Sequence, residues 1–592
     1  MTAIAKKENF DESNFLIASC VHWCAHCMIP LFDDICPICH NRAGGGTSYS
    51  DIRPVFPQEQ LLIGCVRHPE NPLFYLKHSV WHSGNYYIVD GKKIRISPTK
   101  LNNLSVSEIS EIKKNYDREI NNIDYRFFEE NISKFITANR DRYNEITEEA
   151  VRYIKKFQEK YCLDEMFVSF SGGKDSTVVS SLVNRAFGTN KILHIFGDTT
   201  LEFPLTIDYR KRFTHNNESL GVRIINAKNR DKNFSQLCDV VGPPSRVMRW
   251  CCTVFKTGAI QKTIAQVFKN KSNILSFQGI RHSESVSRSK YDRETASPKI
   301  TKQLAVAPII DWKDIDVWLY ILTTKIDFNV AYRLGYTRVG CWCCPNNGSW
   351  SEFLSKIHMF EQSRKWRELL INFAEKIGKP DPEEYVSQGG WKARQGGAGL
   401  DVSNTSIIEF KPCATDSKSF NYVLTKPISS DFYEFFKPFG ILNFDLGNSR
   451  LGEVYVLNVK GEVILILKGK IGSYNLKVSI VNHRFANARS IAQAEIKIKC
   501  QITKFQMCLG CLACESVCKH DAISVHEIDG NIQYRINEQK CIRCCECVAH
   551  YTLGCYMRKV LTIKRKPKFP GVICNYINRY ASSSDKVFGN EL

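Results

Sequence analysis

The 592-residue chain has no apolar run approaching the ~20 residues that a membrane-crossing helix needs. Its opening, Met1 to Glu8, lacks the apolar stretch of a secretory leader. The cysteines are not scattered singly, as a disulfide framework would have them; there are 25, gathered in short-spaced groups. Together these absences argue against a membrane partner and a disulfide scaffold. They predict a reducing cytoplasm in which thiols serve as metal ligands. Proline and glycine are missing from residues 104–161, where Ile109, Ile112, Tyr116 and Ile120 recur at helical spacing amid dense charge. That stretch reads as linking helices. Acid is in deficit, with 61 Asp plus Glu against 81 Lys plus Arg, and the net charge of +20 favours an anionic partner, a nucleic acid or a nucleotide. Single cores rarely exceed ~250–300 residues, so several domains are expected.

The chain also lacks the Gly-x-x-x-x-Gly-Lys-Ser/Thr spacing of a Walker loop. It has instead Ser171-Gly172-Gly173-Lys174-Asp175-Ser176, preceded by the apolar run Met166 to Phe170 and followed by a helix-compatible stretch to Phe187. Strand, glycine turn and helix point backbone N–H groups and a helix N-terminus at one anion. The two glycines permit close approach and positive φ. Lys174 adds a mobile charge and Ser176 a hydroxyl. This stretch resembles the PP-loop of ATP pyrophosphatases, which split ATP between its α- and β-phosphates.

Near the N-terminus, Cys24-x-x-Cys27 and Cys36-x-x-Cys39 can supply four thiolates to one tetrahedral ion, as in a zinc ribbon. A rubredoxin-type iron site is the alternative, and Cys20 or His40 are possible substitute ligands. Residues 51–103 read as a small β domain, with β-like pieces at Leu61 to Cys65, Leu73 to Leu76 and Asn85 to Val89. An Asp90-Gly91 hairpin turn then leads to Lys92–Ile96.

Residues 162–400 alternate apolar segments (192–196, 222–225, 275–280) with helical stretches, which predicts a doubly wound parallel sheet. Distinctive pieces fall where strand ends are expected. Asp198 to Pro204 includes a carboxylate, Asp198, able to hold a ribose hydroxyl or Mg²⁺. Then come Cys251-Cys252, Gly279-Ile280-Arg281 with Arg288, Asp311-Trp312 with Asp316, and Gly340-Cys341-x-x-Cys344. Arg281 and Arg288 offer planar forks for phosphate or sulfate. In this order, over roughly residues 160–350, the pieces resemble the phosphoadenylyl-sulfate (PAPS) reductase family. That resemblance implies a [4Fe–4S] cluster on Cys251, Cys252, Cys341 and Cys344, leaving Cys343 as a sulfur carrier or a core residue. It also implies an adenine nucleotide as ligand, either ATP or adenylyl sulfate/PAPS. Relatives of archaeal type can carry a zinc ribbon and a PUA-like RNA-binding module, so residues 51–103 are PUA-like or a plain β spacer. Two features depart from the family's reductases. The C-terminal Glu-Cys-Gly-Leu-His-like segment is absent, and the nucleotide loop is intact, as in relatives that adenylate tRNA or DNA before sulfur transfer.

Residues 401–497 read as an α+β spacer, with a hairpin at 453–467 and a helix at 487–495. Beyond it, Cys508-x₂-Cys511-x₂-Cys514-x₃-Cys518 is the bacterial ferredoxin run, whose fourth cysteine serves the other cluster. By that crossing, one [4Fe–4S] cluster takes Cys508, Cys511, Cys514 and Cys555. The other takes Cys541, Cys544, Cys547 and Cys518. Lys519 stands where ferredoxins have proline. The basic tail (Arg558, Lys559, Lys564, Arg565, Lys566, Lys568) is a solvated run or a nucleic-acid contact.

The expected fold is multidomain α/β. A zinc ribbon (1–50), a β domain (51–103) and a helical linker (104–161) precede a PP-loop domain of adenine nucleotide alpha hydrolase-like type (162–400). A spacer (401–497), a ferredoxin-like module (498–560) and a basic tail (561–592) follow. Three functions are compatible with this order. The first is an ATP-dependent, redox-coupled sulfur transferase acting on tRNA or DNA, with Lys174, Asp175, Arg281, Arg288 and Cys343 as candidate catalytic residues. The second is a ferredoxin-coupled reductase of adenylyl sulfate or PAPS to sulfite. The third is a non-catalytic, nucleic-acid-binding redox sensor.

Overall fold

The computed structural model describes residues 21–561, except 44–47, 230–232, 297–302, 397–399, 401–408, 529–530 and 552–553. Cys20 and tail residues Lys564, Arg565, Lys566 and Lys568 lie outside the described residues.

A small antiparallel sheet opens the chain, with β1 (Val21–Cys24) between β2 (Ile29–Leu31) and β3 (Ser48–Tyr49). A second sheet pairs β4 (Arg53–Pro54), β5 (Val80–Ser83), β6 (Tyr86–Val89) and β7 (Lys92–Ile94) in sequence order. Asp90 and Gly91, both at positive φ, make the β6–β7 turn as the sequence predicts. Two expected strand pieces are helical instead. Leu61 to Cys65 lies in α1 (Pro57–Arg67), and Phe74 to Leu76 lies in the 3₁₀ turn Phe74–Lys77. Leu61, Leu62, Ile63 and Cys65 are all buried, and a continuous apolar run does not distinguish a buried strand from a buried helix. Pro57 in the first turn was the overlooked signal. Arg53 donates to both oxygens of Glu59 at 2.8 and 2.7 Å, and Tyr87 donates to Glu59 at 2.9 Å, joining β4, α1 and β6. After α2 (Pro98–Asn102), the stretch without proline or glycine forms α3 (Val106–Glu119), α4 (Arg126–Ala138) and α5 (Arg140–Lys155).

The central sheet is built from β8 (Met166–Phe170), β9 (Leu193–Asp198), β10 (Arg223–Lys228), β11 (Ile274–Gln278), β12 (Glu294–Ala296) and β13 (Gln303–Val306). Between them lie α6 (Lys174–Phe187), α7 (Pro204–Glu218), α8 (Phe234–Val241) and α9 (Gly258–Val267), and α10 (Asp314–Thr324) follows. The order is β10-β9-β8-β11-β13-β12, parallel throughout except for the antiparallel edge strand β12. Met166 and Val168 share a core with Val178, Val179 and Leu182 of α6. On the other face, Phe167 and Ile195 pack with Ala259 and Ile264 of α9. The sheet is therefore doubly wound. Its strand order reverses between β8 and β11, where the crevice for a ligand is expected. Helices α11 (Ser349–His358), α12 (Phe360–Lys376) and α13 (Pro382–Ser387) follow.

The next sheet is antiparallel, in the order β14 (Glu409–Pro412), β15 (Ser419–Val423), β19 (Asn475–Ile480), β18 (Val463–Lys468), β17 (Glu453–Leu457) and β16 (Ile441–Asn443). The expected helix from 487 starts later, as α14 (Ile491–Met507). Ala486 and Asn487 are held at positive φ, which blocks a helix there, and Ser490 caps the start by accepting from Gln493 N–H at 3.3 Å. Helix α14 runs straight through the expected 497/498 boundary. One core joins Tyr422 and Leu465 of the sheet, Ile498 of α14, and Val525 and Tyr534 of the cysteine-rich segment. Spacer and cysteine-rich segment thus form one packed body. The latter comprises α15 (Ala513–Val517), the hairpin β20 (Ile523–Ile528) and β21 (Asn531–Ile536), α16 (Glu546–Ala549) and α17 (Tyr556–Leu561).

Burial lowers three histidines: His82 to about 3 (with help from Arg53), His194 to about 4 and His358 to about 4. The unfolded chain, with histidines near 6.5, binds more protons than the folded chain between about pH 4 and 6.5. Stability therefore falls as pH drops through that window, by roughly 2 kcal/mol per histidine at pH 5. Thermal melting at pH 7.5 and pH 5 checks this, and His194→Gln should flatten the slope.

Candidate active site

The loop after β8 sits in the crevice. Gly172 has φ +71°, and a Cβ there would lie 2.9 Å from Thr206 Cγ2. At Gly279, after β11, a Cβ would lie 2.6 Å from the Asp175 carbonyl carbon and 2.7 Å from Ser176 N. Both positions require glycine, so the two strand ends meet backbone to backbone. Asn329 donates to Gly172 O at 3.2 Å. The expected row of N–H groups facing an anion is modified. Ser171 N–H donates to Ser176 Oγ at 3.2 Å, Gly173 N–H to Ser171 Oγ at 3.3 Å and Lys174 N–H to the Tyr332 hydroxyl at 3.0 Å. Buried amides demand partners, and these hydroxyls are partners that a phosphate oxygen can replace.

Four charges are knotted over the loop. Lys174 Nζ lies 3.0 Å from Asp314 Oδ1 and 3.5 Å from Asp175 Oδ2. Arg281 Nε lies 2.5 Å from Asp175 Oδ1, and a terminal Arg281 nitrogen lies 2.9 Å from Asp314 Oδ1. Lys174 and Arg281 are only 4% exposed, so neither charge is hydrated and each depends on its carboxylates. Burial pushes Asp314 up, but Lys174 and Arg281 overcome it and hold the carboxyl down to about 2. Burial likewise disfavours charged Lys174, and Asp175 with Asp314 raise it above the ordinary lysine range. The expected open fork of Arg281 is therefore closed onto two carboxylates. Arg288 pairs with Glu284, and Asp198, at the end of β9, accepts Thr200 N–H at 3.0 Å.

Asp314 was not singled out in the sequence, where Asp311 and Asp316 flank Trp312. Asp316 instead binds Arg142, at 3.1 Å. Asp51 was also missed. It accepts Asp314 N–H at 2.9 Å and Ile315 N–H at 3.2 Å, capping α10 from the N-terminal region. Burial and Asp314 push Asp51 up to about 6. Neither residue carries a motif signal, because the contacts exist only in three dimensions.

Cys251 and Cys252 begin a π-helical stretch, Cys252–Thr257, and Cys251 contacts Cys252 with Cys341 nearby. Cys252 in turn neighbours Cys341 and Cys344, and Thr199 Oγ1 lies 3.4 Å from Cys341 Sγ. Cys251, Cys252, Cys341 and Cys344 are thus gathered in one neighbourhood. Cys343 is 4% exposed and sits in a core with Cys238, Trp250 and Phe373, against which Cys251 and Cys341 also pack. Burial pushes its thiol well above the ordinary range.

At the N-terminus the metal-ligand atoms of Cys24, Cys27, Cys36 and Cys39 all lie within 4.8 Å of one another. The two knuckles are built alike. Met28 and His40, each just after its second cysteine, have φ of 57° and 59° and return N–H bonds to Cys24 O and Cys36 O, both at 2.8 Å. The compact, mutually facing thiols fit a tetrahedral ion such as Zn²⁺.

In the C-terminal body, Cys508, Cys511, Cys514 and Cys555 are mutual neighbours. Cys518, Cys541, Cys544 and Cys547 line a single cavity. The cysteines of the run and of the 541–555 segment are thus gathered in this body, with Cys514 also near Cys547. Cys545 lines the same cavity and donates to Pro438 O at 3.1 Å. Lys504 is 1% exposed, donates to Cys547 O, and sits near Cys514 and Cys555, a placement the sequence did not reveal. One apolar cluster contains Cys251, Cys341, Cys511 and Cys555, and Tyr556 reaches Thr253 beside the central pair. Arg558 turns inward to Thr503 at 3.4 Å, so it is not part of a solvated run.

Residues 165–347 match the phosphoadenosine phosphosulfate reductase domain. Two uncharacterized proteins of Methanocaldococcus jannaschii are similar. One is 28% identical, over 52% of this chain and 79% of its own length; the other is 32% identical, over 48% and 56%. The chain thus spans little more than half of the second. An adenosine 5'-phosphosulfate reductase of Bacillus mycoides is 24% identical over 31% of this chain and 73% of its own. These similarities support an enzyme of sulfur metabolism with an adenine nucleotide as ligand.

Asp314→Asn should destabilise the chain by about 3 kcal/mol in urea denaturation, because two buried cations then share one carboxylate. Adding Lys174→Met should recover part of that loss, and strictly additive losses would contradict the knot.

Proposed function

We propose that this chain is an ATP-dependent, redox-coupled sulfur transferase that adenylates an oxygen of a nucleic acid and exchanges it for sulfur. The observation carrying this reading is the complete phosphate loop, with Gly172, Lys174 and Ser176 in place and Lys174 buried beside Arg281. A substrate that arrives already adenylylated has no β- and γ-phosphates to grip, so it needs no such loop.

In this reading, Lys174 and Arg281 exchange their carboxylates for the phosphates of ATP. Asp175 and Asp314 would hold the accompanying Mg²⁺, which neutralises phosphate charge, and Asp198 would take the ribose. The acceptor oxygen attacks the α-phosphorus and pyrophosphate leaves. A sulfur nucleophile then displaces AMP, which carries the oxygen away. Sulfide as donor requires no electrons, whereas a persulfide donor requires two electrons and a proton to break its S–S bond. Cys251, Cys252, Cys341 and Cys344 would hold a cluster supplying sulfur-binding or redox chemistry there. The contiguity of Cys251 and Cys341 with Cys511 and Cys555 supports electron delivery from the C-terminal body. The N-terminal knuckles and the charge of +20 support a grip on nucleic acid.

A second reading, reduction of adenylyl sulfate or PAPS to sulfite, is favoured by the match of residues 165–347 to the reductase domain. The two separate in one experiment on anaerobically reconstituted full chain with reduced methyl viologen. With ATP, sulfide and bulk tRNA or DNA, the transferase reading predicts AMP and pyrophosphate whose formation depends on the nucleic acid. Sulfite from adenylyl sulfate or PAPS, without ATP cleavage, would overturn it.

A further inference from the structure

A second cavity opens at the carboxyl ends of β9 and β10, on the side of the sheet away from β11. It measures about 780 Å³, within the range of small-molecule sites. Phe234 of α8, Trp342 and Trp366 of α12 supply its aromatic lining, Lys228 and Lys365 its cations, and Gln362 an amide. The rings are set as floor and wall. Trp342 and Trp366 cross at 83° with centroids 6.1 Å apart, and Phe234 lies 5.9 Å from Trp366 at 34°. Phe234 is backed by Trp250, stacked at 5.5 Å, and Trp366 by Trp391 at 5.7 Å, so the aromatic surface is rigid.

Trp342 fixes the cavity's relation to the thiols. It stands between Cys341 and Cys344, and its backbone N–H donates to Leu201 O at 2.9 Å, two residues from the Thr199 that contacts Cys341. Whatever stacks on these rings therefore lies beside the central cysteine group. Flat aromatic faces with an edge amide and lysines nearby suit a planar heterocycle attached to phosphate.

We infer that this cavity receives one unstacked nucleobase of the acceptor nucleic acid, stacked on Trp366 against Trp342, with Lys228 and Lys365 on the flanking phosphates. The inference rests on the transferase reading above and specifies its acceptor site. Phosphate loop and cavity lie at opposite sides of the β9 end, so the nucleotide and the acceptor base would approach the cysteine group from two directions. A base inside a duplex or stack must be turned out to enter.

The test uses reconstituted full chain and two probes, fluorescein-labelled bulk tRNA and single-stranded DNA, with Mg·ATP affinity measured in parallel by calorimetry. Base–aromatic stacking is worth about 1–3 kcal/mol, so Trp366→Ala should weaken binding of the responsive probe by roughly 5- to 150-fold. Trp366→Phe should restore most of it, and Mg·ATP affinity should not move. Lys365→Ala, an exposed change that spares the fold, should lower the salt dependence of binding by about one unit. The probe that responds identifies the acceptor as RNA or DNA. An equal loss of Mg·ATP affinity would assign the cavity to adenine and overturn the inference. Unchanged nucleic-acid affinity in Trp366→Ala and Lys365→Ala would overturn it while leaving the transferase reading intact. A wild-type chain that binds neither probe would overturn both.

Discussion

Two buried cations held by two carboxylates over a glycine turn are the constraint on which the rest of this structure depends. Lys174 and Arg281 come from different strand ends, and Asp314 from the first turn of α10. No charge in the knot can leave without stranding another in a low dielectric. The arrangement therefore stores cations for phosphate without leaving them unpaired. A magnesium–nucleotide complex is a natural substitute because it brings both signs, phosphates for the cations and a metal for the carboxylates. The loop hydroxyls play the same placeholder part for the backbone N–H groups.

The knot also ties the small N-terminal units to the chemistry. Asp51 caps α10 at Asp314, and Asp51 lies two residues before the Arg53 that is locked to Glu59. Displacement of the β4–β7 sheet would thus be felt at the site. On the other side, α14 fuses the antiparallel sheet with the cysteine-rich segment, and that body presses Leu512 against Gly258, where a Cβ would come within 3.3 Å. The C-terminal thiols are held beside the π-helical turn carrying Cys252 instead of hanging on a tether.

Much of this was legible in the sequence because it is local. Residues 171–176 after an apolar run, the paired knuckles and the Asp90-Gly91 turn each encode their geometry within a few positions. What was illegible depends on contacts distant in sequence. Asp314 and Asp51 look like ordinary surface acids until α10 docks. Leu61 to Cys65 has the composition of a buried strand and becomes a helix through Pro57 and all-round burial. Arg281 was legible as a strand-end cation but not as one already neutralised, and the burial of Cys343 shows only once the surrounding core is assembled. The break between spacer and cysteine-rich segment was drawn where composition shifts, whereas α14 carries one core across it.

The most direct test of the account is calorimetric titration of the reconstituted chain with Mg·ATP, magnesium pyrophosphate and adenylyl sulfate. If the knot exists to exchange carboxylates for the pyrophosphate part of a nucleotide, Mg·ATP and magnesium pyrophosphate both bind, and Mg·ATP binds at least tenfold tighter than adenylyl sulfate. Tight binding of adenylyl sulfate with no detectable binding of magnesium pyrophosphate would contradict the account and make the loop a relic in a sulfate-reducing site.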